Sequence, residues 1–96
     1  MKEFKDDDRS YLHWLKEHPD GFVLNTTRPP LPDFLILHRS SCPAVNGAPE
    51  PENYWTIESV KVCAETTGVL AVWAKNEVGG TVKACKLCEP YGGGKP

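Results

Sequence analysis

The chain has 96 residues and a formal charge of −2, with 40% hydrophobic and 25% charged residues. This length is typical of one small domain with a modest core, which often needs a metal or another cross-link. No apolar run approaches the roughly 18 residues of a membrane-spanning helix, and the acidic N-terminus lacks the apolar segment of a secretory signal. We therefore expect a soluble cytoplasmic protein without a membrane partner.

The N-terminal third predicts a helix and a strand after a frayed start. Asp8 or Ser10 can cap the helix, and the turn at 19–21 ends it. The partly buried face of this helix follows the spacing of three and four residues. It comprises Tyr11, Trp14, Leu15 and His18. Alternating side chains over 21–26 then indicate a strand, and the proline-rich segment 28–32 is an extended connector outside the sheet centre.

The middle of the chain predicts three further strands and a long loop. The run "DFLILH" at 33–38 is almost wholly apolar, as expected of a central strand, and it ends at His38. The segment 43–53 is rich in proline, glycine and asparagine and reads as a loop. Short strands are expected at 54–57 and 60–64.

The C-terminal third predicts a helix over 65–78, a strand over 81–85, a turn around two cysteines and a flexible tail over 91–96. One helical face is expected to be buried. It comprises Val69, Val72, Trp73 and Asn76. Together these elements predict an α+β fold, a small antiparallel sheet with two short helices.

Two closely spaced pairs of metal-binding side chains stand about forty residues apart. The first pair is His38 and Cys42, in a His-x-x-x-Cys pattern at a strand end, and the second is Cys85 and Cys88, in a Cys-x-x-Cys turn. Zinc favours four nitrogen and sulfur ligands in tetrahedral geometry. Two closely spaced pairs of ligands, separated by a longer stretch of sequence, are the usual signature of a zinc site. We therefore predict a zinc site formed by these four side chains.

Other roles for the cysteines remain alternatives. A redox Cys-x-x-Cys pair normally opens a helix, whereas Glu89 and Pro90 follow here. Disulfides are disfavoured in a reducing cytoplasm. Cys63 lies in an apolar strand, where free cysteine commonly packs as a small hydrophobe, but it could replace His38 as the fourth ligand. An enzyme that uses Cys63 or Cys42 as its nucleophile is a further alternative.

Four segments resemble, in the same order, the metal-binding domain of the Ada-type methyl-phosphotriester repair proteins. They are "HRSSCPA", "SVKVCAET", "VLAVWA" and "GGTVKACKLCEP". The resemblance implies an Ada-like zinc-binding core at 34–90. Residues 1–33 lie outside it, and we expect them to form a helix and strand extension packed on the core. At the other end we expect a flexible tail at 91–96.

The same resemblance implies zinc ligation by Cys42, Cys85 and Cys88. His38 stands where the repair proteins carry the cysteine that accepts the methyl group. Because imidazole cannot replace that thiolate as the nucleophile, we expect no repair activity and no enzymatic function.

We expect a non-catalytic zinc-binding domain that binds or senses DNA as an accessory module of a nucleic-acid-processing or defence-type system. Four cations near the cysteines are the candidate phosphate contacts. They are Arg39, Lys61, Lys83 and Lys86. The alternative is a protein-protein interaction module, an adaptor or inhibitor with a purely structural zinc. The net negative charge and the acidic N-terminal helix with Tyr11 and Trp14 favour that alternative.

Overall fold

The computed structural model describes residues 1–47 and 54–92. These residues form one five-stranded sheet in the order β1-β4-β2-β3-β5. The strands are β1 (Lys2–Phe4), β2 (Phe22–Thr27), β3 (Leu35–Arg39), β4 (Ser59–Ala64) and β5 (Lys83–Ala84). The helices are α1 (Asp8–Glu17) and α2 (Thr67–Trp73), and a short π-helix over Ala74–Val78 continues α2.

The predicted α+β class is confirmed, with one exception to the antiparallel sheet. Three of the strand pairings are antiparallel, whereas β3 and β5 run parallel. Parts of the predicted loop at 43–53 and of the predicted tail at 91–96 lie outside the described residues. Within the part of the chain that the structure describes, no helix is long and apolar enough to cross a membrane.

Each face of the sheet supports its own core, because neighbouring residues of a strand point to opposite faces. On one face, Leu24 and Val62 pack with Leu70 of α2. On the other face, Val23 packs with Tyr11 of α1 in a second buried cluster. The two helices therefore cover opposite faces, and the sheet is buried on both sides.

The N-terminal segment is more ordered than its sequence indicates. The predicted frayed start is wrong, because residues 2–4 form β1 and pair with β4. The helix cap is Asp7 rather than Asp8 or Ser10, since the Asp7 carboxylate accepts a hydrogen bond from the Ser10 backbone N–H. Asp8 accepts hydrogen bonds from the backbone N–H groups of Trp55 and Thr56. The predicted strand at 54–57 is consequently a series of turns held by α1.

The buried face of α2 also differs from the prediction. Leu70 and Ala74 are fully buried, whereas Val69 and Val72 are 44% and 59% exposed. The face with Val69 and Val72 and the face with Leu70 and Ala74 both carry apolar side chains, so periodicity alone does not show which face is buried. Packing against β2 and β4 selects the stripe through Leu70.

Gly80 controls the approach to β5. A Cβ atom at this position would lie 2.6 Å from Leu35 Cδ1 and 2.8 Å from the Pro32 carbonyl oxygen. The Pro32 contact is with backbone, which cannot move aside without shifting the connector before β3. The absence of a side chain at Gly80 thus lets the chain pass close to β3 before it enters β5.

We expect Gly80→Ala to destabilise the folded protein by about 1–3 kcal/mol through overpacking. Gly68→Ala is the matched control, because nothing lies within 4 Å of a Cβ at that helical position. There alanine should stabilise α2 by about 0.5–1 kcal/mol. Urea unfolding of both variants measures the difference. Equal stabilities would show that the approach to β5 is not tightly packed.

Candidate metal centre

The parallel pairing of β3 and β5 brings the two halves of the predicted site together. Ile36 lies opposite Lys83 and Leu37 opposite Ala84, and the Cys85 backbone N–H donates to the Leu37 carbonyl at 2.9 Å. Two neighbouring strands that run in the same direction have their C-terminal ends on the same side of the sheet. The C-terminal end of β3 and the turn after β5 therefore lie next to each other.

A tight loop after β3 brings Cys42 close to His38 and to the turn of Cys85 and Cys88. The Cys42 N–H donates to the Arg39 carbonyl and the Val45 N–H to the Cys42 carbonyl, both at 3.0 Å. Asn46 Nδ2 donates to the Ser40 carbonyl at 2.8 Å. The Tyr11 hydroxyl of α1 donates to the Val45 carbonyl. These bonds hold Cys42 above the end of β3.

His38, Cys42, Cys85 and Cys88 form one cluster, in which the four ligand atoms all lie within 4.8 Å of one another. Zn–S bonds of about 2.3 Å and Zn–N bonds of about 2.0–2.1 Å place one nitrogen and three sulfur ligand atoms of a tetrahedral site roughly 3.5–3.8 Å apart. The cluster is therefore close to the size that one metal ion requires. Two of its members, His38 and Cys42, are buried, and the two cysteines of the turn are half-buried.

The imidazole of His38 fits a metal ligand. Its Nδ1 atom is buried and has no hydrogen-bond partner among the described residues. A buried polar atom without a partner is costly, and a bound cation would supply one. Burial, and then the nearby charge of Lys61, lower the pKa of His38 to about 4. The ring is thus neutral at physiological pH, which is the form that binds metals.

The thiols differ in how readily they ionise. Burial works against the Cys85 thiolate, but hydrogen bonds from the backbone N–H groups of Cys88 and Leu87, together with those from the side chains of Cys88 and Cys42, outweigh it and lower the pKa of Cys85. The Arg39 N–H donates a hydrogen bond to Cys88 Sγ at 3.2 Å. Burial raises the pKa of Cys42 to about 12. Cys42 therefore needs a neighbouring cation before it can act as a thiolate ligand.

Cys63 does not belong to the cluster. Across the sheet, Val23 pairs with both His38 and Cys63, so a whole strand separates the two residues. At about 4.8 Å per strand this puts their backbones roughly 10 Å apart. Cys63 is fully buried in the core beneath α1, and burial raises the pKa of its thiol to about 12. The structure therefore agrees with a packing role for Cys63.

Arg39 supports the turn that carries two of the candidate ligands. Its Nε donates to the Cys88 carbonyl at 2.9 Å, and its Nη2 donates to the Glu89 carbonyl at 2.8 Å. With the bond from its own N–H to Cys88 Sγ, it fastens the turn to the end of β3. The sequence gives no sign of this role, because the partner lies 49 residues away.

The other predicted phosphate contacts are not gathered on one basic face. Lys61 is only 5% exposed, and its Nζ donates to the Trp55 carbonyl at 2.9 Å and to Ser59 Oγ at 2.6 Å. Burial lowers the pKa of Lys61 to about 8. Lys83 and Lys86 are exposed. Of the four predicted cations, these two remain open to a ligand.

Comparison with known proteins finds no matching family model, curated protein or solved structure. The Ada-type assignment thus has no support beyond the resemblance of short segments. What the structure supports is a cluster of one imidazole and three thiols that could hold a metal ion.

We expect Arg39→Lys to weaken metal binding by this cluster by about 10–100-fold, the usual effect of losing a group that orients ligands. Lysine keeps the charge but cannot reach both carbonyls of the turn in the same way. Lys86→Ala is the control, since Lys86 is exposed in the same turn, and its affinity should be unchanged. Competition with a chromophoric chelator measures both. Equal affinities for the two variants would contradict a supporting role for Arg39.

Proposed function

We propose that the chain is a non-catalytic zinc-binding domain, in which one ion joins the end of β3, the loop after it and the turn after β5. The observation that carries this proposal is the convergence of one imidazole and three thiols within 4.8 Å. Calcium and magnesium prefer oxygen ligands, whereas a set of one nitrogen and three sulfurs suits zinc. The ion would be held by His38, Cys42, Cys85 and Cys88.

A structural role for the ion follows from the number of donors. Four protein ligands complete a tetrahedral zinc, whereas catalytic zinc sites keep one position for water or substrate. The remaining cysteine, Cys63, is fully buried and therefore a poor nucleophile. These features support a domain without enzymatic activity.

The short C-terminal strand explains why such an ion would matter. β5 has two residues and pairs only with β3 among the described strands. So small a contact stabilises little by itself. Metal binding in small domains contributes directly to the free energy of folding. We infer that zinc holds the turn after β5 against the end of β3. The hydrogen bonds from Arg39 stabilise the same turn.

For the role of the domain, we propose interaction with a protein partner rather than with DNA. The chain carries a net charge of −2, which opposes binding to a polyanion. Two of the four cations expected to contact phosphates, Arg39 and Lys61, are engaged within the domain. Only Lys83 and Lys86 remain for the DNA-binding alternative.

The zinc proposal predicts one zinc per purified chain by elemental analysis. His38→Ala should release the ion and lower the melting temperature sharply, because it removes a ligand. Cys63→Ala is the control and should keep the ion at a cost of about 1–2 kcal/mol in packing. If Cys63→Ala releases the metal and His38→Ala does not, the fourth ligand has been assigned wrongly.

The same zinc-loaded protein decides between the two roles. Fluorescence anisotropy with labelled single-stranded and duplex DNA at low salt, where phosphate contacts are strongest, should give no binding. Salt-dependent binding that is lost in a Lys83→Ala, Lys86→Ala double variant would instead establish the DNA-binding role.

A further inference from the structure

A groove of about 640 Å³ lies between strand β1 and helix α1, away from the candidate metal ligands. Its volume is within the range of about 300–1,000 Å³ typical of ligand sites. Lys2 and Phe4 line it on the strand side. The helix side contributes Arg9, His13, Trp14 and Glu17. The floor is thus aromatic and the rim is charged.

The strand beside this groove is an edge of the sheet. β1 pairs with β4 on one side and with no described strand on the other. Open backbone groups at a sheet edge can pair with an extended peptide. Because β1 has only three residues, such a peptide would also need side-chain contacts, and the groove supplies a place for them.

The rim of the groove is positively charged even though the surrounding segment is acidic. The neighbouring carboxylates are engaged within the domain. Glu3 pairs with Lys5, Asp6 pairs with Arg28, Asp7 caps α1 and Asp8 binds the turn at 55–56. Glu17 Oε2 lies 3.2 Å from His13 Nε2. Lys2 and Arg9, in contrast, are exposed and form no ion pair with another described residue. The groove therefore complements a negatively charged ligand.

The register of β1 specifies how such a ligand would be arranged. Lys2 and Phe4 are two residues apart and point to the same face, where the Phe4 ring packs edge-on against Tyr11 of α1 at 5.8 Å. A peptide strand beside β1 would place alternate side chains on that face. An acidic side chain suits the position opposite Lys2, and a large apolar one suits the position opposite Phe4.

We infer that the groove between β1 and α1 binds an extended segment of a partner protein, which adds to the sheet beside β1 and carries an acidic residue two positions from a large apolar residue. This inference rests on the proposed role in protein interaction and names the class of partner. It does not depend on the metal.

Selection from a phage-displayed library of short random peptides tests the inference. The bait is the zinc-loaded full chain, and zinc is measured in the same sample. Two further baits are a Lys2→Glu, Arg9→Glu double variant and Lys16→Glu, which is the control because Lys16 is an exposed residue of α1 outside the groove. We expect peptides with the acidic and apolar pair to be enriched by the unaltered chain and by Lys16→Glu, but not by the double variant.

The best enriched peptide should bind the double variant at least about tenfold more weakly than the unaltered chain, because one charge pair at an interface is worth that much or more. Replacing its acidic residue by lysine should restore binding to the double variant. N-methylation of its central backbone amides should abolish binding to the unaltered chain.

Four results would overturn the inference. They are equal enrichment by the double variant, enrichment without the acidic and apolar pair, unchanged affinity after N-methylation, and self-association of the chain that the double variant abolishes, which would identify a second copy as the occupant. Any of these results on a zinc-loaded sample leaves the zinc site intact. A sample that holds no zinc would instead contradict the proposed metal centre.

Discussion

The C-terminal part of the domain meets the rest of the sheet at the end of β3, where four candidate metal ligands lie together. β5 is two residues long, and a single backbone hydrogen bond from Cys85 to Leu37 extends its pairing beyond the strand. Without a bound ion, two buried candidate ligands are in unfavourable environments. Nδ1 of His38 has no hydrogen-bond partner among the described residues, and burial raises the pKa of the Cys42 thiol. One cation would resolve both, and it would hold the turn after β5 against β3.

The N-terminal segment positions β3 and the loop that follows it. β2 lies in the middle of the sheet and pairs with both β3 and β4. Helix α1 covers one face, and its Tyr11 hydroxyl reaches the loop that carries Cys42. Gly21 joins these parts, because its carbonyl accepts from the Ser40 N–H and a Cβ there would lie 2.8 Å from the Trp14 ring. The position of the candidate ligands thus depends on residues far from them in the sequence.

The sequence predicted the features that are determined locally. The candidate ligand pairs His38 with Cys42 and Cys85 with Cys88 are each set by a short spacing, and the preference of zinc for four nitrogen and sulfur ligands predicted that the pairs would lie together. Alternating or continuous apolar side chains correctly indicated β2, β3 and β4. Strand β1 was missed, since three residues containing two charges carry no recognisable pattern.

The features that depend on distant partners were not predictable in this way. The segment 54–57 does not form the expected strand, because the carboxylate of Asp8, 47 residues before Trp55, accepts a hydrogen bond from the Trp55 backbone N–H. The sequence indicated a surface cation at Arg39, but the Cys88 carbonyl, 49 residues away, accepts a hydrogen bond from its side chain. In each case a hydrogen bond between distant segments overrides the local pattern.

X-ray absorption at the zinc edge of the loaded protein tests whether three thiols and one imidazole of this chain hold one zinc ion. We expect three sulfur neighbours at about 2.3 Å and one nitrogen at about 2.0–2.1 Å. The shell should remain unchanged in Cys63→Ala. A shell of four sulfurs, or one dominated by oxygen and nitrogen, would contradict the assignment.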